Sequence, residues 1–264
     1  MVKAGGRTLT LNMDAILEDL ARSSKSERII FIHGGGDLVS SYSRKLGIEP
    51  RIVVHPGGFR SRYTSLEELE VYVMVMAGLL NKRIVSRLQS MNVKALGVTG
   101  ADLGIVKGER KKRIVILNER GRPQAIPGGY TGRITHVDAE TVKDLLGIAE
   151  VLIVSPLILG SEGEMLNVDG DQAAMAVSKA VKPRALVMLS DVEGVIHEGR
   201  VIEKLTPQEA RELSKKVGKG MNRKLLMAAE AVEGGVGRVI IADGRVEEPI
   251  TRALQGRGTT VSPR

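Results

Sequence analysis

Ile29-Ile30-Phe31-Ile32-His33-Gly34-Gly35-Gly36 sets the reading of the whole chain. Ile29 to Ile32 form a short run of apolar residues without polar alternation, which reads as a strand buried on both faces. Gly34, Gly35 and Gly36 lack a Cβ, so their amides can converge on an anion. The Leu38 to Leu46 segment then offers the positive end of a helix to the same point. The opening Val2-Lys3-Ala4-Gly5-Gly6 repeats the arrangement, with a cation two residues ahead of a glycine pair. Two glycine turns and a lysine fit a polyphosphate. Glycines also occur where a chain simply turns tightly between strand and helix, so neither stretch alone separates a binding loop from a turn.

Composition narrows the classes. With 264 residues, 42% hydrophobic and 27% charged, the chain has the makeup of an ordered globular protein. Cysteine is absent, which excludes disulfides and thiolate metal sites, and His33, His55, His136 and His197 are too scattered for a zinc site. No apolar run approaches the roughly 18 residues of a membrane span, so a cytoplasmic protein without membrane contact is expected. The formal charge of +8 calls for an acidic partner or substrate, whereas four Tyr and two Phe leave little to stack on nucleic-acid bases.

Strand-like runs alternate with amphipathic helices along the chain, the pattern of an α/β fold: a mainly parallel sheet between helical layers, αβα. A helix capped by Asn12 is expected to run to Arg22, and residues 51–63 read as a polar loop. Thr64-Ser65-Leu66-Glu67 reads as a capping box for a long helix reaching Ser90. Its middle, Val71 to Ala77, is apolar nearly all round, which predicts a second buried face and hence a homodimer. Residues 93–98 read as a strand and 105–126 as two strands about a turn at Asn118 to Gly121. A helix follows over 138–146, then a strand over 151–154. Asn167-Val168-Asp169-Gly170-Asp171 opens a further helix, either as a plain N-cap or as a chemical site. The pattern restarts near residue 180 with the strand Ala185 to Leu189, then Ser190-Asp191-Val192-Glu193-Gly194-Val195. A short hairpin at Glu198-Gly199 comes next, then a capping box at Thr206-Pro207-Gln208-Glu209. Gly220-Met221-Asn222-Arg223-Lys224 leads into a helix, and Arg238 to Ile241 read as a strand. Two lobes on one continuous sheet, 1–180 and 181–264, fit this better than separate beads.

Common nucleotide loops of the Gly-x-x-x-x-Gly-Lys-Ser/Thr and Gly-x-Gly-x-x-Gly types are missing. What remains is Lys3-Ala4-Gly5-Gly6, His33-Gly34-Gly35-Gly36, Asn167 to Asp171, Ser190 to Val195, and Gly220-Met221 with Lys224. In this order and spacing they resemble the amino acid kinase family over nearly the whole chain. Arg62-Tyr63-Thr64, Ala77-Gly78 and Asn81-Lys82 are similar to its N-acetylglutamate kinase branch. The longer Gly58-Phe59-Arg60-Ser61-Arg62-Tyr63-Thr64 is similar to archaeal and thermophile members acting on α-aminoadipate or glutamate carried by the protein LysW.

The resemblance implies a two-lobed fold, with acyl substrate, carrier and dimer helix on 1–180 and ATP on 181–264. It further implies transfer of the γ-phosphoryl group of ATP to a carboxylate. That reaction joins two anions and needs charge neutralisation and alignment rather than a covalent intermediate. Lys3 and Lys224 would then lie on the phosphates, with Asp171 holding both. Gly5, Gly6 and Gly34 would donate amides to phosphate, and Gly35 and Gly36 would face the acceptor. Arg62 would clamp its α-carboxylate and Asn167 its amide linkage. Ser190, Asp191 and Gly194 would belong to the nucleotide pocket, and Mg2+ would ride on ATP oxygens without protein ligands. Only two residues precede Lys3, so the expectation is either that the first strand is a stub or that the start lies too far downstream.

The positive charge is assigned to carrier docking through Arg51, Arg60, Lys107, Arg110, Lys111, Lys112 and Arg113 around the cleft mouth. Alternatives are free N-acetylglutamate as acceptor, in which case these cations are solvated surface, and a nucleic-acid-binding regulator on a relic kinase fold.

Overall fold

The strand Val2–Ala4, only three residues long, lies at the centre of the sheet and is wholly buried. Lys3 stands opposite Met188 on one side and Ile32 on the other, both parallel. The stub is therefore anchored along both edges. The computed structural model describes residues 1–218 and 220–263. Its main sheet runs Lys204–Leu205, Thr259–Val261, Val239–Asp243, Leu186–Ser190, Val2–Ala4, Ile29–His33, Val151–Ser155, Ala95–Thr99. Every pairing is parallel except that of Val239–Asp243 with Thr259–Val261.

Strand residues alternate between two cores, as a pleat of period two requires. Phe31, Ile153 and Leu189 face one helical layer, while Ile32, Leu152 and Met188 face the other. The first layer holds α1 (Gly6–Ser23), α2 (Gly36–Lys45), α3 (Leu66–Val73) and α4 (Asn81–Ser90), and the second holds α5 (Ala139–Ile148), α6 (Gly170–Val181), α7 (Pro207–Ser214) and α8 (Met221–Glu233). This is the expected αβα architecture. Above it stand a four-stranded sheet (Met165–Asn167, Leu157–Gly160, Val106–Arg110, Gly132–Val137) and two hairpins, Ile52–Val54/Arg60–Arg62 and Arg113–Leu117/Pro123–Pro127. Val53, Ile114 and Ile116 make a small separate core beneath the hairpins.

Several local expectations are corrected. The first helix starts at Gly6, not Asn12, and Asn12 breaks it instead (φ −146°, ψ 40°), its side-chain amide donating to the carbonyls of Gly244 (3.0 Å) and Val246 (2.8 Å). The polar loop at 51–63 is a hairpin, because β-branched Ile52 to Val54 pair with Arg60 to Arg62. Three strands occupy 105–126, and the hairpin Leu157–Gly160/Met165–Asn167 and the strand Gly132–Val137 had no counterpart in the sequence reading.

The long helix is capped by Ser65, whose side chain accepts the Glu68 amide, one residue later than expected. Between Met74 and Leu80 it widens to π geometry before α4 resumes at Asn81. The Met76 carbonyl there accepts a hydrogen bond from the Ser155 hydroxyl at 3.1 Å. Its apolar middle is largely covered within the protein: Val75 is 2% exposed and Met76 fully buried, leaving Met74, at 54%, facing out.

Candidate active site

Four central strands end at one edge of the sheet, and the residues following them, Gly5, Gly34, Pro156 and Asp191, are thereby gathered there. The two glycine loops touch. A Cβ on Gly34 would lie 2.6 Å from the Gly6 nitrogen, and one on Gly6 2.8 Å from the Gly35 nitrogen, so only glycine lets the backbones approach this closely. The α1 and α2 N-termini consequently open beside one another, so that their positive ends act on an anion from two sides. Gly5 and Gly34 were expected to donate their amides as well, but both are committed to the sheet, to the carbonyls of Leu189 (3.3 Å) and Ala4 (2.8 Å). Gly6, Gly35 and Gly36 are the glycines at the helix openings, where N–H groups have no intrahelical acceptor.

Asp171, in the first turn of α6, is shared by two lysines. Lys3 Nζ lies 2.5 Å from Oδ1 and Lys224 Nζ 3.1 Å from Oδ2, with side chains 8%, 18% and 18% exposed for Lys3, Lys224 and Asp171. Burial by itself pushes the Asp171 carboxyl up, but the charges of Lys3 and Lys224 and the hydrogen bonds they donate outweigh it. The group is held well below the usual carboxylate range. Two ammonium groups, one from each half of the chain, are thus fixed beside the glycine loops.

A cavity of about 680 Å³ extends from this point, lined by Lys3, Gly34, Gly35, Gly36, Arg62, Asn167 and Asp171 among others. The Arg62 side chain, 8% exposed, is held on three sides: it donates to the Glu68 carboxylate, to the Gly36 carbonyl (2.7 Å) and to Ser40 Oγ (2.6 Å). Glu68, 3% exposed, also accepts from Ser43 (3.2 Å) and neutralises the guanidinium. Asn167 donates its amide N–H to Thr64 Oγ1 at 2.9 Å. Tyr72, 6% exposed, lines the same cavity. Burial holds its phenol above the usual tyrosine range, with Arg62 opposing and Asp169 reinforcing the effect, so the phenol remains protonated.

Beside the cavity a smaller depression is lined by Gly5, Gly6, Ser190, Asp191 and Lys224. Gly194 lines neither space; it is packed where a Cβ would meet Thr259 and Val201 at 2.9 Å. At the cavity mouth His55 stacks on Phe59 (centroids 4.1 Å apart), and the Arg223 guanidinium lies 5.4 Å from the Phe59 ring. Arg60, Lys111 and Arg113 line the cavity as well. The other cations expected there lie apart. Arg110 covers Tyr130 at 4.1 Å and donates to the Gly129 carbonyl (2.5 Å), Arg51 covers Tyr63 (4.9 Å), and Lys107 and Lys112 are exposed outside the cavity lining.

Behind the glycine loop, His33 Nε2 is 2.9 Å from Ser155 Oγ, to which Asn81 also donates at 3.1 Å. Burial lowers the His33 pKa to about 4, so the ring is neutral at ordinary pH. Glu68, Tyr72, Asp169 and Arg223 were not anticipated as site residues. Glu68 had been visible only as a carboxylate in a helix first turn, and Arg223 as a cation where a helix dipole disfavours one.

A family model for the amino acid kinase family matches residues 1–243. The chain is 52% identical over 262 residues to a LysW-aminoadipate/LysW-glutamate kinase of Saccharolobus islandicus, covering 99% of this chain and 98% of the relative. The enzyme of the same description from Sulfurisphaera tokodaii is 52% identical over 262 residues, covering 99% of each chain. Among solved structures, N-acetylglutamate synthase from Neisseria gonorrhoeae superposes with a TM-score of 0.81 at 23% identity, over 100% of this chain and 59% of that one. The smu.665 protein of Streptococcus mutans gives 0.75 at 23% identity, over 100% and 98%. These two likenesses concern the fold alone; the family match and the sequence relatives go further. The chain belongs to the amino acid kinase family.

Proposed function

We propose that this kinase uses ATP to phosphorylate the side-chain carboxylate of α-aminoadipate, of glutamate, or of both, while the amino group is attached to LysW. The product is an acyl phosphate for lysine biosynthesis and, by extension, arginine biosynthesis. The observation that carries the reading is 52% identity along 99% of the chain to enzymes described by that activity. The geometry supports it. A carboxylate oxygen attacks the γ-phosphorus, the bond to the β,γ-bridging oxygen breaks, and ADP leaves with the electron pair. Lys3 would neutralise the transferred group and Lys224 the leaving phosphates, while Asp171 keeps both aligned. The amides at the α1 and α2 openings would hold the phosphoryl oxygens. Arg62, oriented by Glu68, would receive the acceptor's α-carboxylate, and Asn167 its amide linkage.

Magnesium would arrive on the nucleotide. Among the described residues no three His, Asp or Glu side chains come together as a cation site, and Asp171 already serves two lysines. Residues 1–180 would bind acceptor and carrier and 181–264 the nucleotide, across a sheet that passes unbroken from one to the other. Arg60, Lys111 and Arg113 at the mouth would meet an acidic carrier. The homodimer would form over the outer face of the long helix, where Met74 is exposed and Gly78, Leu79 and Met13 line a groove. No helix of the described residues is long and apolar enough to cross a membrane.

The decisive experiment measures acyl phosphate formation with carrier-linked aminoadipate, carrier-linked glutamate and free N-acetylglutamate. Turnover of a carrier-linked acceptor well above the free compound is expected. Equal or better turnover of free N-acetylglutamate would transfer the protein to arginine biosynthesis on small molecules.

A further inference from the structure

The charges in the cavity do not balance around one acceptor carboxylate and a phosphoryl group. Lys3 and Lys224 share Asp171, and Arg62 is matched by Glu68. Of the four other cations lining the cavity, Arg60 and Arg113 are exposed, whereas Lys111 and Arg223 are half-buried. Lys111 is half-buried, and no carboxylate among the described residues lies within ion-pair distance of its ammonium. Arg223 reaches Asp169 Oδ1 only at 3.4 Å. That oxygen is already the cap of α6, accepting the amides of Asp171 (3.1 Å) and Gln172 (3.0 Å). Burial first, and Arg223 next, press the Lys111 pKa downward, with Asp169, the carboxylate that Arg223 also uses, opposing them. Arg223 is, moreover, placed against its helix: α8 has no acidic residue in its first turn, where the dipole is positive. Lys224 beside it is compensated by Asp171, whereas among the described residues Arg223 has only the 3.4 Å contact with the capping Asp169.

We infer that Lys111 and Arg223 form a second carboxylate-binding site, built for a carboxyl group on the acyl arm that masks the acceptor's nitrogen. Phe59 supports one side of the guanidinium, and the stacked His55 backs Phe59. His55 donates or accepts only toward Ser61 Oγ (2.7 Å) and the Val115 carbonyl (2.8 Å), so it leaves the anion to the two cations. The resemblance to carrier-dependent kinases implies that the mask is the carrier's C-terminal glutamate; such an arm retains one free carboxylate whichever of its two carboxyls forms the amide, whereas an acetyl arm has none. The site therefore distinguishes carrier-linked from acetylated acceptors locally, apart from any attraction between protein surfaces. It rests on the proposed carrier-linked function and gives that function a residue-level selector.

Two small probes separate the possibilities: N-glutaryl-2-aminoadipate, and the same compound with the glutaryl carboxyl as carboxamide. Each is measured as a competitor of the carrier-linked acceptor. The wild type should bind the carboxylate about tenfold more tightly than the carboxamide, in line with a charge-assisted pair. Lys111→Met and Arg223→Met should each bring the two inhibition constants together, with KM for ATP and the melting temperature unchanged. A carboxylate preference that persists in both variants overturns the site, as does a wild type that binds the probes alike. An equal loss for both probes and ATP assigns the pair to structure and overturns it too. Turnover of acetylated but not carrier-linked acceptors defeats the proposed function itself, a different observation from any of these.

Discussion

Replacing Asp171 by asparagine keeps the shape of the side chain and removes one negative charge from between two ammonium groups. The Lys3 and Lys224 contacts are 2.5 Å and 3.1 Å, and none of the three side chains is more than 18% exposed. An ion pair at about 4 Å in an effective dielectric near 20 is worth about 4 kcal/mol, and breaking a buried pair typically costs about 3 to 5 kcal/mol. Taking about 3 kcal/mol, a chain of this size should melt about 6 to 12 °C lower. Because the two lysines also lose their common anchor, kcat should fall at least about a hundredfold, equivalent to about 2.7 kcal/mol of transition-state alignment. KM for ATP should not rise, since the nucleotide's phosphates can take over as counter-ion, and ATP should stabilise the variant more than the wild type. Thermal melts with and without ATP, combined with steady-state kinetics, test all three. A variant that loses stability yet keeps kcat within about tenfold would refute the anchoring role, and one that loses ATP affinity alone would reassign Asp171 to nucleotide binding.

Lys3→Ala and Lys224→Ala should each lower kcat about a hundredfold or more while the fold survives, and near-normal turnover of Lys224→Ala would remove it from the chemistry. Tyr72→Phe removes a hydroxyl at the cavity wall and should raise the acceptor's KM about three- to tenfold without affecting KM for ATP; parallel changes in both would argue for packing instead. His33, with a folded pKa near 4 against about 6.5 unfolded, leaves the unfolded chain with more bound protons between these values. Stability should therefore rise with pH across that window and fall by up to about 3 kcal/mol on acidification through it, a slope that urea titrations should find missing in His33→Gln. Sedimentation at micromolar concentration should give a dimer that Met74→Asp dissociates; a wild-type monomer ends that proposal. Val75→Asp is no test of the interface, because Val75 is buried within one chain.

The parts of the site legible in the sequence are those that follow directly from the parallel sheet. Runs such as Ile29 to Ile32 and Ala185 to Leu189 declare buried strands, parallel strands share a C-terminal edge, and residues just beyond them must meet. Gly5 and Gly6, Gly34 to Gly36 and Ser190 to Asp191 could be grouped on that ground, and Lys3 and Lys224 with Asp171 through the resemblance. The π stretch was invisible in the sequence, and the Ser155 hydroxyl that donates to its Met76 carbonyl lies 79 residues away. The hairpin Leu157–Gly160/Met165–Asn167 was hidden for a related reason, since its apolar residues directly follow another buried strand and merge with it.

Charged residues were the least legible, because their sequence neighbours do not say which carboxylate meets which cation. Glu68 satisfies an ordinary helix-start pattern, yet its buried carboxylate is what orients Arg62. Seven cations looked alike as a basic surface, and two have local uses: Arg110 braces the turn at Gly129 and Arg51 lies on Tyr63. Three of the others reach the cavity, and they do so because Val53, Ile114 and Ile116 hold the two hairpins together above it. The acceptor side of the site is consequently positioned by a small core of its own, whereas the phosphate side is positioned by the main sheet. Substitutions in the hairpin core should therefore act on acceptor affinity ahead of phosphoryl transfer. The lysine and aspartate cluster, with Lys3 paired to strands on both sides and Asp171 fixed in α6, depends on the stability of the whole fold.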